Sequence, residues 1–302
     1  MLYNLDCLVI VICMKRSKRV LSIVLLSLII GSVCYVVLSD FFNQNNIEHR
    51  LISVSNYAVY YGDFDVNLTK FDLVITSPLY LSEEVALLKN SSIVVAYLSL
   101  TTISGWEPWA ENVSEDLIIG YDPDWDEYII NVSDPRWEKI VLNVVEWFLS
   151  KGYSGVFLDN VDMVEDYPSL NWSVIEIMGK IRKTYRGAII VQNRGFAVLN
   201  ITSKYIDLLL FEDFGSLYDF EQGTYRKFNE EEMRWLRKTA LWIKQLSDEY
   251  KFKVLALGYA NMSNLEQLSE IEEYTNQLAS EYDFIPYVAD LYLDKLNMDY
   301  AH

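Results

Sequence analysis

Asp159 and Glu212 carry the strongest chemical signal in the chain. Each closes an apolar run, GVFL and LLLF, where a buried carboxylate without a partner costs several kcal/mol. Two carboxylates at facing strand ends suit hydrolysis of a glycosidic bond, in which one protonates the leaving oxygen and the other attacks or activates water. Taken singly, each has a plainer role: Asp159 as an acid capping its own turn with Asn160, Glu212 as the ion-pair partner of an arginine such as Arg194. As a pair at equivalent positions they favour catalysis. The wider cluster of Asp159, Asp162, Asp166, Glu212 and Asp213 also offers oxygen ligands for calcium, but it lacks the spacing of an EF-hand loop. No metal or other cofactor is expected.

Composition removes most competing chemistries. The three cysteines, Cys7, Cys13 and Cys34, lie in the first 34 residues, and the two histidines are His49 and His302. Between Arg50 and Ala301 there is neither imidazole nor thiol, which excludes a Cys/His zinc site, a Ser-His-Asp triad, a cysteine nucleophile and a disulfide framework there. With 302 residues, 51% apolar and 23% charged, the chain has the makeup of a folded protein, long enough for one large α/β barrel or two small domains. Residues 40–302 hold 21 basic and 42 acidic side chains, a net charge near −21. Nucleic acid is not expected as a partner, because phosphate binding relies on Lys and Arg. An acidic surface suits a cationic ligand, or simply solubility.

The carboxylates need a scaffold that brings distant strand ends together. Apolar β-type runs at 57–61, 71–77, 93–100, 155–161, 188–193, 208–214, 254–260 and 284–289 alternate with helical patterns, and the middle ones read as strands buried on both faces. Asp134-Pro135 starts one helix, with Trp137, Ile140, Val141, Val144, Val145 and Phe148 on a single face and Gly152 as its stop. Asn229 and Glu232 form a capping-box pattern that opens another, reaching about Tyr250. Eight strands with helical connections over about 250 residues predict a (β/α)8 TIM barrel; a doubly wound open sheet is less favoured because no Gly-rich phosphate turn follows the first strand.

Barrel sites lie at the C-terminal ends of the strands. Those ends carry Ser77, Tyr97 with Ser99, Asp159 with Asn160 and Asp162, Gln192 with Asn193, Glu212 with Asp213, Tyr259, and Tyr287 with Asp290. The third strand is followed by some thirty residues rich in aromatics, among them Trp106, Trp109, Tyr121, Trp125 and Tyr128, read as a long structureless loop and therefore functional. Exposed Trp and Tyr faces there suit stacking on a sugar ring or a cation. Tyr97, Trp106, Trp125 and Tyr259 are the expected substrate contacts among them.

The N-terminus indicates export. Residues 20–38 are nineteen positions without a charge, preceded by Lys15, Arg16, Lys18 and Arg19 and followed by Asp40. As a helix such a run spans about one bilayer core, with the bulk of the chain outside the cytoplasm. An anchor is favoured over a cleaved signal, since no small-x-small cleavage pattern follows. Residues 1–39 are thus read as stub and anchor, 40–55 as a stalk and 56–302 as the barrel. Seven Asn-x-Ser/Thr sequons, at Asn67, Asn90, Asn112, Asn131, Asn171, Asn200 and Asn261, exceed the two or three expected by chance and agree with an exported chain.

The segments IVVAYLSL, WDEYIINVSDPRW, GYSGVFLDNVD, IIVQN, FEDF, LGYA and FIPYVADLYLD follow one another in the order found in glycoside hydrolase family 114. The chain resembles that family from about Tyr57 to Leu293. The resemblance implies a barrel domain like that of fungal endo-α-1,4-polygalactosaminidases, with Asp159 as catalytic aspartate, Glu212 as its partner, and Asn160, Asp162, Gln192 and Asn193 at substrate-contact positions. It also implies an α-1,4-linked galactosamine polymer as substrate, cationic when deacetylated. One segment departs: many members place a Gly-Glu pair after the third strand, where this chain has Leu100-Thr101-Thr102. The expectation is a membrane-anchored, extracellular glycoside hydrolase acting on an amino-sugar polysaccharide, or secreted if the N-terminal segment is cut. The alternative is a non-catalytic surface glycan-binding protein on the same barrel.

Overall fold

Parallel strands supply the ends on which the candidate residues sit. The computed structural model describes residues 51–302; the anchor expected at 20–38 and the first part of the stalk lie outside the described residues. In chain order the strands are β1 (Tyr57–Tyr60), β2 (Leu73–Thr76), β3 (Ile93–Ser99), β4 (Thr102–Ile103), β5 (Ile118–Asp122), β6 (Glu127–Ile130) and β7 (Gly155–Asp159). They continue with β8 (Ile189–Asn193), β9 (Leu208–Glu212), β10 (Ser216–Asp219), β11 (Thr224–Lys227), β12 (Lys253–Tyr259) and β13 (Ile285–Ala289). The main sheet runs β1-β2-β3-β7-β8-β9-β12-β13. Every pairing in it is parallel, and β13 lies against β1, so the sheet curls back on itself as a (β/α)8 barrel. Each of the eight strands read from the sequence falls within a residue or two of its place.

The reasons are local. β1, β2, β3 and β8 are buried along their whole length, because one face fills the barrel and the other meets the helices. β7 and β8 approach so closely that a Cβ on residue 155 would stand 1.9 Å from the carbonyl oxygen of Ile189; only glycine fits there. The helix Pro135–Lys151 begins where the Asp134 side chain accepts from the Arg136 N–H, and it ends at Gly152 with φ 104°, a left-handed stop that glycine adopts without strain. Its Trp137 is fully buried and donates its indole N–H to the Leu100 carbonyl at 2.8 Å, which fixes the chain just past β3. The helix Glu230–Tyr250 opens with the Asn229–Glu232 capping box. Among the described residues no helix is long and apolar enough to cross a membrane.

The stretch after β3 is not structureless, contrary to the sequence expectation. It folds as a small antiparallel sheet, β4-β6-β5, with 3-10 turns at Ala110–Asn112 and Glu115–Leu117. Two short strands flank a tight turn in which Asp126 takes φ 55°, a conformation aspartate tolerates. A second hairpin, β10–β11, follows β9. None of the seven sequon asparagines is buried.

Candidate active site

Three consecutive barrel strands end on the same kind of residue. Asp159 is the last residue of β7, Asn193 of β8 and Glu212 of β9. In each case the next residue turns left-handed: Asn160 at φ 56°, Arg194 at φ 44° and Asp213 at φ 57°. Asn and Asp reach this region with local hydrogen bonding, whereas for arginine it is strained. Such strain gathers where the surrounding structure holds a functional geometry. The three ends, with Tyr97 and Tyr259, surround a cleft of about 650 Å³.

Asn193 joins the two candidate carboxylates. Its side-chain nitrogen donates to Asp159 Oδ1 at 2.7 Å and to Glu212 Oε2 at 2.6 Å. One amide nitrogen spans both, so the two accepting oxygens are held closer together than the sum of those two bonds. Asp159 Oδ1 takes a further bond from the Asn160 N–H at 2.8 Å. Both partners of Oδ1 can only donate, which fixes that oxygen as an acceptor and leaves Oδ2 to the cleft. Glu212 Oε1 instead meets the Tyr259 hydroxyl, a group that can donate or accept. Burial pushes the Tyr259 phenol well above its ordinary range, reinforced by Glu212 and Asp213.

Electrostatics hold one proton in this pair. Burial, then the facing charge of Glu212, push Asp159 up to about 7, against the opposing pull of the Asn193 and Asn160 donors. Two carboxylates sharing one amide nitrogen in a buried cleft therefore do not both ionise until neutral pH.

The expected contacts largely converge. Tyr97, Trp106, Trp125, Asn160, Asp162, Asn193 and Tyr259 all line the cleft, as does Ser77. Trp106 and Trp125 are about half exposed, 51% and 50%, so part of each ring is open to a ligand. Gln192 does not join them. It is fully buried, accepts from Thr202 at 2.7 Å and donates to the Arg194 carbonyl at 2.8 Å. Adjacent strand residues face opposite ways, so Asn193 points into the cleft and Gln192 into the helical layer. Tyr287 is likewise buried in the core. Arg194 pairs with Asp162 at 3.3 Å and Asp213 at 3.2 Å, not with Glu212 as a reading of the sequence suggested. Asp159 does bond the turn at Asn160, so its capping role and its place in the cleft coexist. Among the described residues no three His, Cys, Asp or Glu side chains are grouped to hold a metal ion.

The sequence did not single out Tyr61, Glu127, Tyr218, Phe220 or Tyr292 as cleft residues, yet all line it. Tyr61 ends the first predicted strand and was discoverable there. Trp125 and Phe220 meet edge to face with ring centres 5.7 Å apart, which brings the tips of the two inserted hairpins together beside the cleft. Five carboxylates, Glu127, Asp159, Asp162, Glu212 and Asp213, face a single basic side chain, Arg194, among the lining residues.

A family model described as glycoside-hydrolase family GH114 matches residues 51–301. The fold is similar to the glycoside hydrolase domain of PelA from Pseudomonas aeruginosa, at TM-score 0.71 and 22% identity over 81% of this chain and 98% of that one. It is also similar to Aspergillus fumigatus Ega3, solved in complex with galactosamine, at TM-score 0.62 and 16% identity over 80% of this chain and 93% of that one. At these identities the likeness is one of fold. No curated protein matches the chain.

Proposed function

The chain belongs to glycoside hydrolase family GH114, and on that premise we propose that it cleaves an amino-sugar polysaccharide, α-1,4-galactosaminide-like, by a retaining two-carboxylate mechanism. The observation that carries this reading is the single Asn193 amide nitrogen bonded to both Asp159 and Glu212. Asp159 Oδ2 attacks the anomeric carbon while the glycosidic C–O bond breaks, and Glu212 delivers its proton to the departing oxygen. The resulting glycosyl ester on Asp159 is then hydrolysed by a water whose proton returns to Glu212, and both carboxyls end as they began. No cofactor enters the sequence.

The substrate class rests on charge and on fold. The five cleft carboxylates against one guanidinium favour a cationic sugar, and Ega3, of similar fold, was solved with galactosamine. Trp106 and Trp125 each leave part of a ring open for stacking. Export to the cell surface, anchored through residues 20–38 or secreted after cleavage, belongs to the same proposal. It is supported by the basic cluster before that apolar run and by sequon asparagines that all reach solvent.

The test is release of reducing ends from α-1,4-galactosamine oligomers, acetylated and deacetylated, by the wild-type protein and Asp159→Asn. Turnover by the wild type alone supports the reading. Equal turnover by both proteins removes Asp159 from the mechanism, and glycan binding without turnover would instead support the non-catalytic alternative.

A further inference from the structure

Glu127 comes from the inserted sheet and not from the barrel, yet its carboxylate is the focus of a buried hydroxyl network beside Asp159. The antiparallel register pairs Thr102 with Ile129 and Ile103 with Tyr128, which sets Glu127 across from Ser104. Glu127 Oε2 accepts from the Thr102 hydroxyl at 2.6 Å and from the Asn160 side-chain nitrogen at 2.9 Å, while Oε1 accepts from the Ser104 hydroxyl at 3.1 Å. Behind Thr102 stands the Ser99 hydroxyl at 2.5 Å. Ser99, Thr102 and Ser104 are all buried.

The chemistry gives this network a direction. A carboxylate accepts and does not donate, so Thr102 must spend its proton on Glu127 and take the proton of Ser99. Every donor in the network then points toward Glu127, directly or in sequence. Asn160 is gripped from a second side by Thr101, whose hydroxyl donates to the Asn160 carbonyl at 2.6 Å. The held residue is the left-handed one, φ 56°, whose own N–H bonds Asp159 Oδ1.

We propose that Glu127 is a positioning residue of the reaction: through Asn160 it fixes the orientation of Asp159, which makes the inserted β4-β6-β5 sheet part of the catalytic apparatus. This rests on the assignment of Asp159 under the proposed function. Glu127 acts through Asn160 and needs no contact with the sugar. A neutral glutamine of the same shape retains one acceptor oxygen but loses the carboxylate that orders three donors. Asn160→Gly keeps the left-handed turn while deleting the side chain that Glu127 holds.

The experiment compares wild type, Glu127→Gln, Asn160→Gly and the double variant in two readouts, steady-state kinetics and hydrogen exchange of the Asn160 amide. Glu127→Gln should lower kcat by about tenfold or more with KM within about threefold, and the double variant should be no slower than Asn160→Gly alone, because one act is removed twice. Exchange of the Asn160 amide should quicken by about tenfold in Glu127→Gln, while the Phe157 amide inside β7 keeps its protection and reports an intact barrel. Wild-type kcat in Glu127→Gln, a rise in KM alone, additive losses in the double variant, or unchanged Asn160 exchange would each overturn the proposal. If the wild type hydrolyses no amino-sugar oligomer, the proposed function fails instead. The exchange measurement still decides whether Glu127 holds Asn160.

Discussion

Asp159 and Glu212 accept hydrogen bonds from the same amide nitrogen, at 2.7 Å and 2.6 Å. Neither strand alone makes this happen. β8 lies between β7 and β9 in the sheet, and each strand contributes its last residue before a left-handed turn. The spacing of the carboxylates is thus a property of three neighbouring strand ends, with the middle one acting as gauge.

If Asn193 sets that spacing, its removal should cost rate more than binding. Asn193→Ala is expected to lower kcat by about a hundredfold, with KM changed far less, since an interaction aligned for the transition state is lost. Unaltered kcat would show that the carboxylates hold their places without the amide. Steady-state kinetics on a soluble oligomer, with circular dichroism as a control for folding, is sufficient.

The shared proton implies a basic limb in the rate profile. Asp159 is pushed up to about 7 by burial and by Glu212, so the pair loses its proton as pH rises through about 7, and with it the donor to the leaving oxygen. The value of kcat/KM should fall above that pH. Asp162→Asn removes a negative charge that helps to raise Asp159, so the limb should move to lower pH. A shift upward in that variant would refute the electrostatic assignment.

Stability should depend on pH in the opposite sense to that of most acids. Glu107 is 3% exposed, and burial pushes its carboxyl up to about 8 although the Ser104 N–H donates to it. A group raised in the folded state binds protons there that the unfolded chain has already released. Its contribution is fully present below the unfolded value, about 4.3, and is lost as pH rises through about 8. The melting temperature should therefore fall across that window, and Glu107→Gln should flatten the fall while leaving the mildly acidic value nearly unchanged.

The aromatic rim should govern affinity for longer chains. Trp106→Ala and Trp125→Ala are each expected to raise KM severalfold to tenfold on oligomers while changing kcat little, as for a platform that contacts ground state and transition state alike. A fall in kcat at constant KM would place that ring in the chemistry.

Much of this site was legible in the sequence because it follows strand periodicity. Apolar runs broken by a terminal acid gave Asp159 and Glu212, and the order of elements gave the barrel. Gln192 was misplaced because a strand end names two residues, and only their facing decides which enters the cleft; the parity shared by Asp159, Asn193 and Glu212 carries that information. The partners of Arg194 were not legible, because a left-handed turn in a non-glycine residue has no sequence signature, and that turn aims it at Asp162 and Asp213. Glu127 was invisible for another reason. Its partners, Thr102, Ser104 and Asn160, reach it through the register of a small antiparallel sheet, which composition does not encode, although the flanking Asp122-Pro123-Asp124 turn signal and the short apolar strands around it were present.

The most direct measurement is the anomeric configuration of the first product, followed by proton NMR before mutarotation, with an α-linked galactosamine oligomer as substrate. On the proposed retaining mechanism, with Asn193 holding Asp159 and Glu212 together, the α anomer should appear first. Initial release of the β anomer would mean that water attacks directly, which contradicts Asp159 as the nucleophile and the geometry on which its assignment stands.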